Sequence, residues 1–148
     1  MSALTGLAAT RRGFLGLAAG SAALAATGGR AQAQRVRTSA RIAILGAGAG
    51  GTAIANRLAN RLEGATITII DGRQQHWYQP GFTLIAAGLK SASYSVSQTA
   101  DWLPEGVEWI PEYAAALDPV SNRITTTGGR IVDYDYLIVA TGLSLDWD

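Results

Sequence analysis

An α/β fold built on a parallel sheet is predicted by three features of the chain. Gly46-Ala47-Gly48-Ala49-Gly50-Gly51 has the G-x-G-x-x-G spacing and lies between the apolar run Ile42-Ala43-Ile44-Leu45 and a helical pattern carrying Ile54, Leu58 and Leu62 on one face. Thr66-Ile67-Thr68-Ile69-Ile70 reads as a second strand ending in Asp71, about twenty residues beyond the last glycine. Much later, Tyr136-Leu137-Ile138-Val139 runs into another small-residue turn, Ala140-Thr141-Gly142. Together these features predict a Rossmann-like unit whose glycine turns meet at the carboxyl ends of parallel strands, the place where such sheets bind dinucleotides.

Each part of the glycine turn has a physical role. Gly46 permits the tight turn, Gly48 lets the backbone approach a pyrophosphate, and Gly51 lets the helix pack close to the sheet. The helix then directs its free N–H groups at the phosphates. At the tip of the second strand, the Asp71 carboxylate can accept from a ribose 2′-hydroxyl, so an unphosphorylated ribose is expected there.

From the N-terminus onward the elements follow in order. Residues 1–33 read as a twin-arginine export signal: Thr10-Arg11-Arg12-Gly13-Phe14-Leu15, a weakly apolar stretch from Gly13 to Thr27, and a small-x-small cleavage pattern at Ala31-Gln32-Ala33. The apolar stretch is too short and too glycine-rich for a membrane span, which needs about twenty apolar residues. A periplasmic destination follows as an expectation. Residues 34–40 form a polar, flexible lead-in, and 41–148 the N-terminal part of a nucleotide-binding domain. Within it, Glu63-Gly64 closes the first helix. A polar loop from Arg73 to Gly81 precedes a short helix near Phe82 to Ala87, and Ser91 to Gln98 reads as a surface connection. Val107-Glu108-Trp109-Ile110 alternates as a half-buried strand that Pro111 ends or marks as an edge. Tyr113 to Leu117 continues into the Asp118-Pro119 turn, and Ile124 to Val132 forms a hairpin about Gly128-Gly129, giving a small antiparallel meander. The apolar run Tyr136 to Ala140 has the composition of a parallel strand buried on both faces.

Charge and composition narrow the function. The chain carries 12 basic and 11 acidic side chains; without Arg11, Arg12 and Arg30 of the signal, nine basic face eleven acidic, a formal charge of −2. No basic face for nucleic acid is indicated. The sequence has no cysteine and a single histidine, His76. Neither a thiolate nor a histidine metal site, nor a disulfide framework, is therefore expected, and no catalytic residue is assigned. Trp77, Tyr78 and Phe82 suit packing beneath the loop, and Trp102 and Trp109 suit structural positions.

The segments His76-Trp77-Tyr78-Gln79-Pro80-Gly81-Phe82-Thr83-Leu84, Gly106 to Ile110, and Leu143-Ser144-Leu145-Asp146-Trp147 after Ala-Thr-Gly resemble the sulfide:quinone oxidoreductases, within the wider group of flavin-dependent pyridine nucleotide-disulfide oxidoreductase folds. The resemblance covers Arg41 to Asp148. It implies FAD as cofactor, with Gly46, Gly48, Ala49, Gly50 and Gly51 at the pyrophosphate and Asp71 at the adenosine ribose. The resemblance further implies Ala114 at the adenine edge, Ala140, Thr141 and Gly142 near the adenine-side phosphates, and Gln79, Pro80 and Thr83 toward the flavin. Asp71 shortens the glutamate that such FAD sites often use.

Sulfide and quinone are the partners the resemblance implies for a complete enzyme, with peripheral membrane association through a C-terminal region. A flavocytochrome c sulfide dehydrogenase subunit, with a cytochrome partner, and a flavoprotein like the NADH dehydrogenases are alternatives within the same class. Family members oxidise sulfide through redox cysteines, and a thiolate is the required nucleophile. Without one, the chain is expected to be an incomplete FAD-binding portion of a longer enzyme, inactive alone, or simply a dinucleotide-binding fragment. Ending near Asp148 is expected to leave Tyr136 to Ala140, or its neighbour, as an uncovered apolar strand edge.

Overall fold

The computed structural model describes residues 35–144 and 146. The signal assigned to residues 1–33 and the aromatic Trp147 lie outside the described residues. The described part begins with a short strand β1 (Val36–Arg37), then β2 (Arg41–Leu45), the helix α1 (Ala49–Arg61), β3 (Leu62–Glu63) and β4 (Thr66–Ile70). An excursion follows, containing β5 (Gln75–Trp77), a 3-10 turn (Gln79–Gly81), the helix α2 (Phe82–Ala86) and β6 (Val96–Gln98). The chain returns through β7 (Val107–Ile110), the meander β8 (Ala114–Asp118), β9 (Arg123–Thr126) and β10 (Ile131–Asp133), and β11 (Tyr136–Val139).

The central sheet is parallel, in the order β11-β2-β4-β7. Period-two alternation gives its strands two buried faces. Ile42, Ile44, Ile67 and Ile69 face one way and pack with Ala55, Ile54 and Leu58 of α1. Ala43, Leu45, Ile70 and Ile110 face the other way and pack with Ile124, Val132 and Tyr134 from the meander and the segment that leaves it. Helix on one side and antiparallel strands on the other therefore enclose the two middle strands, whose Ile44 and Ile69 are wholly buried.

The crossover β2-α1-β4 is tightened by the last glycine of the turn. A Cβ at Gly51 would stand 1.8 Å from the Gly46 carbonyl oxygen, so only glycine allows α1 to start this close to the turn. Gly46 itself has φ +100, and a Cβ there would meet the Ala140 carbonyl oxygen at 2.4 Å, which brings the second glycine-ended strand directly beside the first.

Several expectations are corrected. Within the lead-in, Val36–Arg37 pairs in parallel with Leu62–Glu63, joined by the Thr38 amide donating to the Glu63 carbonyl and by the Arg37–Glu63 ion pair. For the same reason α1 ends at Arg61, before Glu63-Gly64, because the next two residues extend to pair. The polar loop and the serine-rich connection are paired with each other as well: Gln75–Trp77 lies antiparallel to Val96–Gln98. Backbone pairing there has no apolar alternation to announce it. Finally, Tyr136–Val139 is not buried on both faces: as the expected sheet edge it has only β2 beside it, which leaves Tyr136 65 % and Val139 63 % exposed.

The start of this edge strand is fixed by an ion pair. Arg41 donates to Asp135 from its amide, its Nε and its Nη2, the last at 2.7 Å. Hydrogen bonds from the Arg41 side chain and amide hold the Asp135 carboxyl at about 2. A carboxyl depressed by folding stabilises the fold above its ordinary range, and that contribution disappears as pH falls through about 2. Asp135→Asn is therefore expected to lower the melting temperature near pH 7 and to leave it close to that of the unaltered chain near pH 2, as read by circular dichroism melts across that range.

Candidate functional site

The carboxyl ends of β2, β4 and β11 converge on the glycine turn. Asp71 follows β4 directly and is only 4 % exposed. Its backbone is held from three directions: its amide donates to Ile110, the Gly46 amide donates to Ile70 beside it, and the Trp109 indole Nε1 donates to its carbonyl at 3.0 Å. So placed, the carboxylate accepts the Ala47 amide of the glycine turn at 2.7 Å and the Arg73 amide at 2.9 Å. The Arg73 guanidinium completes the shell, with Nη2 2.9 Å from Oδ2 and Nε within 3.3 Å of both oxygens.

Burial pushes the Asp71 carboxyl up. The Arg73 side chain and the Ala47 and Arg73 amides outweigh that burial, and hold it below the usual carboxylate range. The hydrogen bond to Asp71 in turn raises the Arg73 guanidinium, so both groups stay charged throughout the physiological range.

Helix α1 begins beside this pair with Gly48 at its N-cap, no side-chain cap and no acid in its first turn. Thr52 donates the first helical bond, to Gly48, which leaves the amides of Ala49, Gly50 and Gly51 without intrahelical acceptors. A Cβ on Gly48 would meet only the Arg73 Nη2, at 3.8 Å, an ordinary contact. Nothing in the fold requires glycine at position 48. Gly48 instead faces the open space of a cavity.

Two cavities flank the Asp71–Arg73 pair and share both residues as walls. The larger, about 680 Å³, is lined by Gly48 and Ala49, by His76, Trp77 and Phe82, and by Gln79 and Pro80. Trp77 and Phe82 meet edge to face with centroids 6.4 Å apart. The smaller, about 200 Å³, lies between Gly46, Tyr113, Ala114 and Thr141. Its wall depends on Gly72, where a Cβ would strike the Tyr113 ring at 2.5 Å.

Of the residues singled out from sequence, Gly46, Gly48, Ala49, Asp71, Gln79, Pro80, Ala114 and Thr141 line one cavity or the other. Gly51 and Ala140 act from behind, Gly51 through the helix approach and Ala140 through its carbonyl over Gly46. Gly50 is an exposed residue of the first helical turn, and Gly142 is exposed with φ +75. Neither Gly50 nor Gly142 is a wall of the two cavities, nor is Thr83, whose hydroxyl donates to the Pro80 carbonyl at 3.1 Å. Sequence reasoning missed Arg73 and Tyr113. Arg73 had a readable signal, a cation two residues past the strand-tip acid in a tight exit; Tyr113, distant in sequence, had none.

The arrangement is that of a known family. Residues 40–146 match the model of the pyridine nucleotide-disulphide oxidoreductases. The mitochondrial sulfide:quinone oxidoreductase of Mus musculus is 40 % identical over 107 residues, covering 72 % of this chain and 24 % of the relative. That of Dictyostelium discoideum is 34 % identical over 122 residues, covering 82 % and 27 %. Among solved structures, the sulfide:quinone oxidoreductase of the hyperthermophilic bacterium Aquifex aeolicus superposes with a TM-score of 0.64 at 30 % identity, over 73 % of this chain and 25 % of that one. The chain thus spans about a quarter of the length of the relatives it matches.

The glycines of the turn separate into two kinds, and substitution distinguishes them. Gly51→Ala forces a methyl group into the Gly46 carbonyl and is expected to cost about 1–3 kcal/mol or more of stability, the usual range for overpacking. Gly48→Val, which puts a poor N-cap residue in an open position, is expected to lower the thermal melt less than Gly51→Ala while abolishing retention of a dinucleotide, checked by melting and by equilibrium dialysis on the same samples.

Proposed function

Because the chain belongs to the pyridine nucleotide-disulphide oxidoreductase family, we propose that it is the FAD-binding N-terminal portion of an exported sulfide:quinone oxidoreductase. The observation that carries the cofactor assignment is the uncapped start of α1, opening on the larger of two cavities that adjoin at Asp71 and Arg73, with Gly46 of the same turn lining the smaller. An elongated ligand with an anionic centre and two flat ends matches that layout. The similarity to sulfide:quinone oxidoreductases supports the finer assignment of substrate class.

In this reading the first-turn amides of α1 hold the pyrophosphate, where backbone donors and the helix dipole favour negative charge. Asp71 receives the adenosine ribose. Ala114 offers its backbone to the adenine edge, with Ala140, Thr141 and Gly142 passing the adenine-side phosphates. Gln79, Pro80 and Thr83 lie on the flavin side, where the Trp77–Phe82 pair adds an aromatic wall. Bound there, FAD supplies the two-electron acceptor between sulfide and quinone.

The 148 residues contain no cysteine, so no thiol-dependent step is carried by them. That observation favours a second, narrower reading for the chain taken alone: a dinucleotide-binding module without turnover. Both readings place FAD in the same site. Anaerobic addition of sulfide to the FAD-loaded chain is expected to leave the flavin absorbance unchanged; bleaching would show that these residues reduce flavin by themselves. Fluorescence quenching on titration of FAD into the chain tests the shared premise, and an absence of saturable quenching would contradict it.

Export to the periplasm rests on Arg11-Arg12 and the Ala31-Gln32-Ala33 pattern. Replacing both Arg11 and Arg12 by Lys is expected to retain the protein in the cytoplasm without changing its flavin content. Undiminished periplasmic recovery of that double variant would contradict a twin-arginine route.

A further inference from the structure

Arg73 stands in an electrostatically unusual place. Its Nη2 lies 3.8 Å from where a Cβ on Gly48, the N-cap of α1, would stand, and it lines the same cavity as Gly48 and Ala49 at the uncapped start of that helix. A cation at a helix N-terminus is disfavoured by the helix dipole. What keeps it there is Asp71, through three side-chain contacts of 2.9–3.3 Å.

The backbone around Arg73 is fixed. Its amide donates to Asp71, its carbonyl accepts the Thr99 hydroxyl at 2.9 Å, the neighbouring Gln74 carbonyl accepts the Thr99 amide at 2.8 Å, and Gly72 is covered by the Tyr113 ring. The side chain is different. It is 52 % exposed, and among the described residues its side-chain hydrogen bonds run to Asp71 alone. Rigid backbone and a free-ended side chain make the guanidinium the one part of this pair able to move without disturbing the turn.

The Asp71 carboxylate has no room for another donor as it stands. A carboxylate offers about four lone-pair directions. The Ala47 amide, the Arg73 amide and the guanidinium already fill them. A ribose hydroxyl can bond to Asp71 only if the guanidinium leaves. An incoming pyrophosphate gives it somewhere to go, since guanidinium and phosphate form strong, geometrically matched charged hydrogen bonds.

Resting on the FAD reading of this site, we propose that Arg73 is its movable cation: paired with Asp71 in the free chain, it transfers to the dinucleotide pyrophosphate, and the carboxylate oxygen it vacates receives the ribose hydroxyl. Adenine-side recognition and phosphate recognition are then one exchange. The same residue opposes binding of an adenosine that brings no phosphate and assists binding of one that does.

That opposition gives a test which loss of structure cannot imitate. Calorimetric titrations would compare the full chain with Arg73→Gln and Arg73→Lys, using FAD, ADP and adenosine, with circular dichroism confirming equal folding. Arg73→Gln is expected to weaken FAD and ADP about tenfold or more, the size of one lost charged hydrogen-bond pair. Adenosine should bind Arg73→Gln as tightly as the unaltered chain or more tightly, because Asp71 is no longer occupied. Arg73→Lys, which keeps the charge without the fork, should fall between for FAD. Equal weakening of all three ligands by Arg73→Gln would reduce Arg73 to a support for Asp71 and overturn the exchange, as would FAD and ADP affinities within twofold of the unaltered chain. If the unaltered chain bound neither FAD nor ADP, the dinucleotide reading itself would fall, and the exchange with it.

Discussion

A buried carboxylate at the end of a parallel strand organises this molecule. Asp71 is nearly solvent-free, and an isolated charge there would be costly. It persists because two backbone amides and a guanidinium aim at it. The Ala47 amide matters most for the site, since it belongs to the glycine turn and fixes the turn at 2.7 Å from the strand tip. Taking the carboxylate away would leave that buried amide without an acceptor, a loss of about 1–3 kcal/mol. It would also release the turn from the one side-chain contact that sets its distance from β4.

The remaining architecture serves this junction. Gly51 draws α1 against the Gly46 carbonyl, and Gly46 admits the Ala140 carbonyl, so three chain segments meet within a few ångströms. Such close packing brings the start of α1 to the wall of the cavity that Asp71 and Arg73 also line, with the Ala47 amide bonded to the carboxylate. The two-faced sheet then positions the walls: Trp109 of the edge strand β7 binds the Asp71 carbonyl, and the meander packed on the far face delivers Tyr113 and Ala114 to the smaller cavity. The β5–β6 pair does the same for the larger cavity by holding His76 and Trp77 beside the turn.

Much of this was legible in the sequence where a residue type had only one physical use. The glycine spacing, the isoleucine-rich strands and the Gly128-Gly129 hairpin each encode local geometry, and each formed as expected. The short helix near Phe82 also formed, as Phe82–Ala86. Elements that depend on distant backbone pairing were not legible. Val36–Arg37 and Gln75–Trp77 carry no alternation of their own and become strands only because Leu62–Glu63 and Val96–Gln98 present free edges to them. Tyr136–Val139 was legible as a parallel strand and as an edge, but not in its burial: apolar composition reports capacity for burial, whereas the order of strands leaves only β2 beside it. Arg73 was overlooked although its place two residues past the strand-tip acid was readable, because the polar loop around it offers several side chains and only the fold shows that this one turns back on Asp71.

We propose above that a dinucleotide lies across the Gly46–Gly51 turn with Asp71 at its ribose. Backbone amide NMR of the full chain during titration with FAD addresses it residue by residue. The account expects the largest shift changes at Gly48, Ala49, Gly50 and Gly51, with further changes at Ala47, Asp71, Ala114 and Thr141, and little change at the far ends of the parallel strands near Arg41 and Thr66. Saturable changes confined to the opposite side of the excursion, around Tyr94 to Leu103, with the glycine turn unmoved, would contradict it.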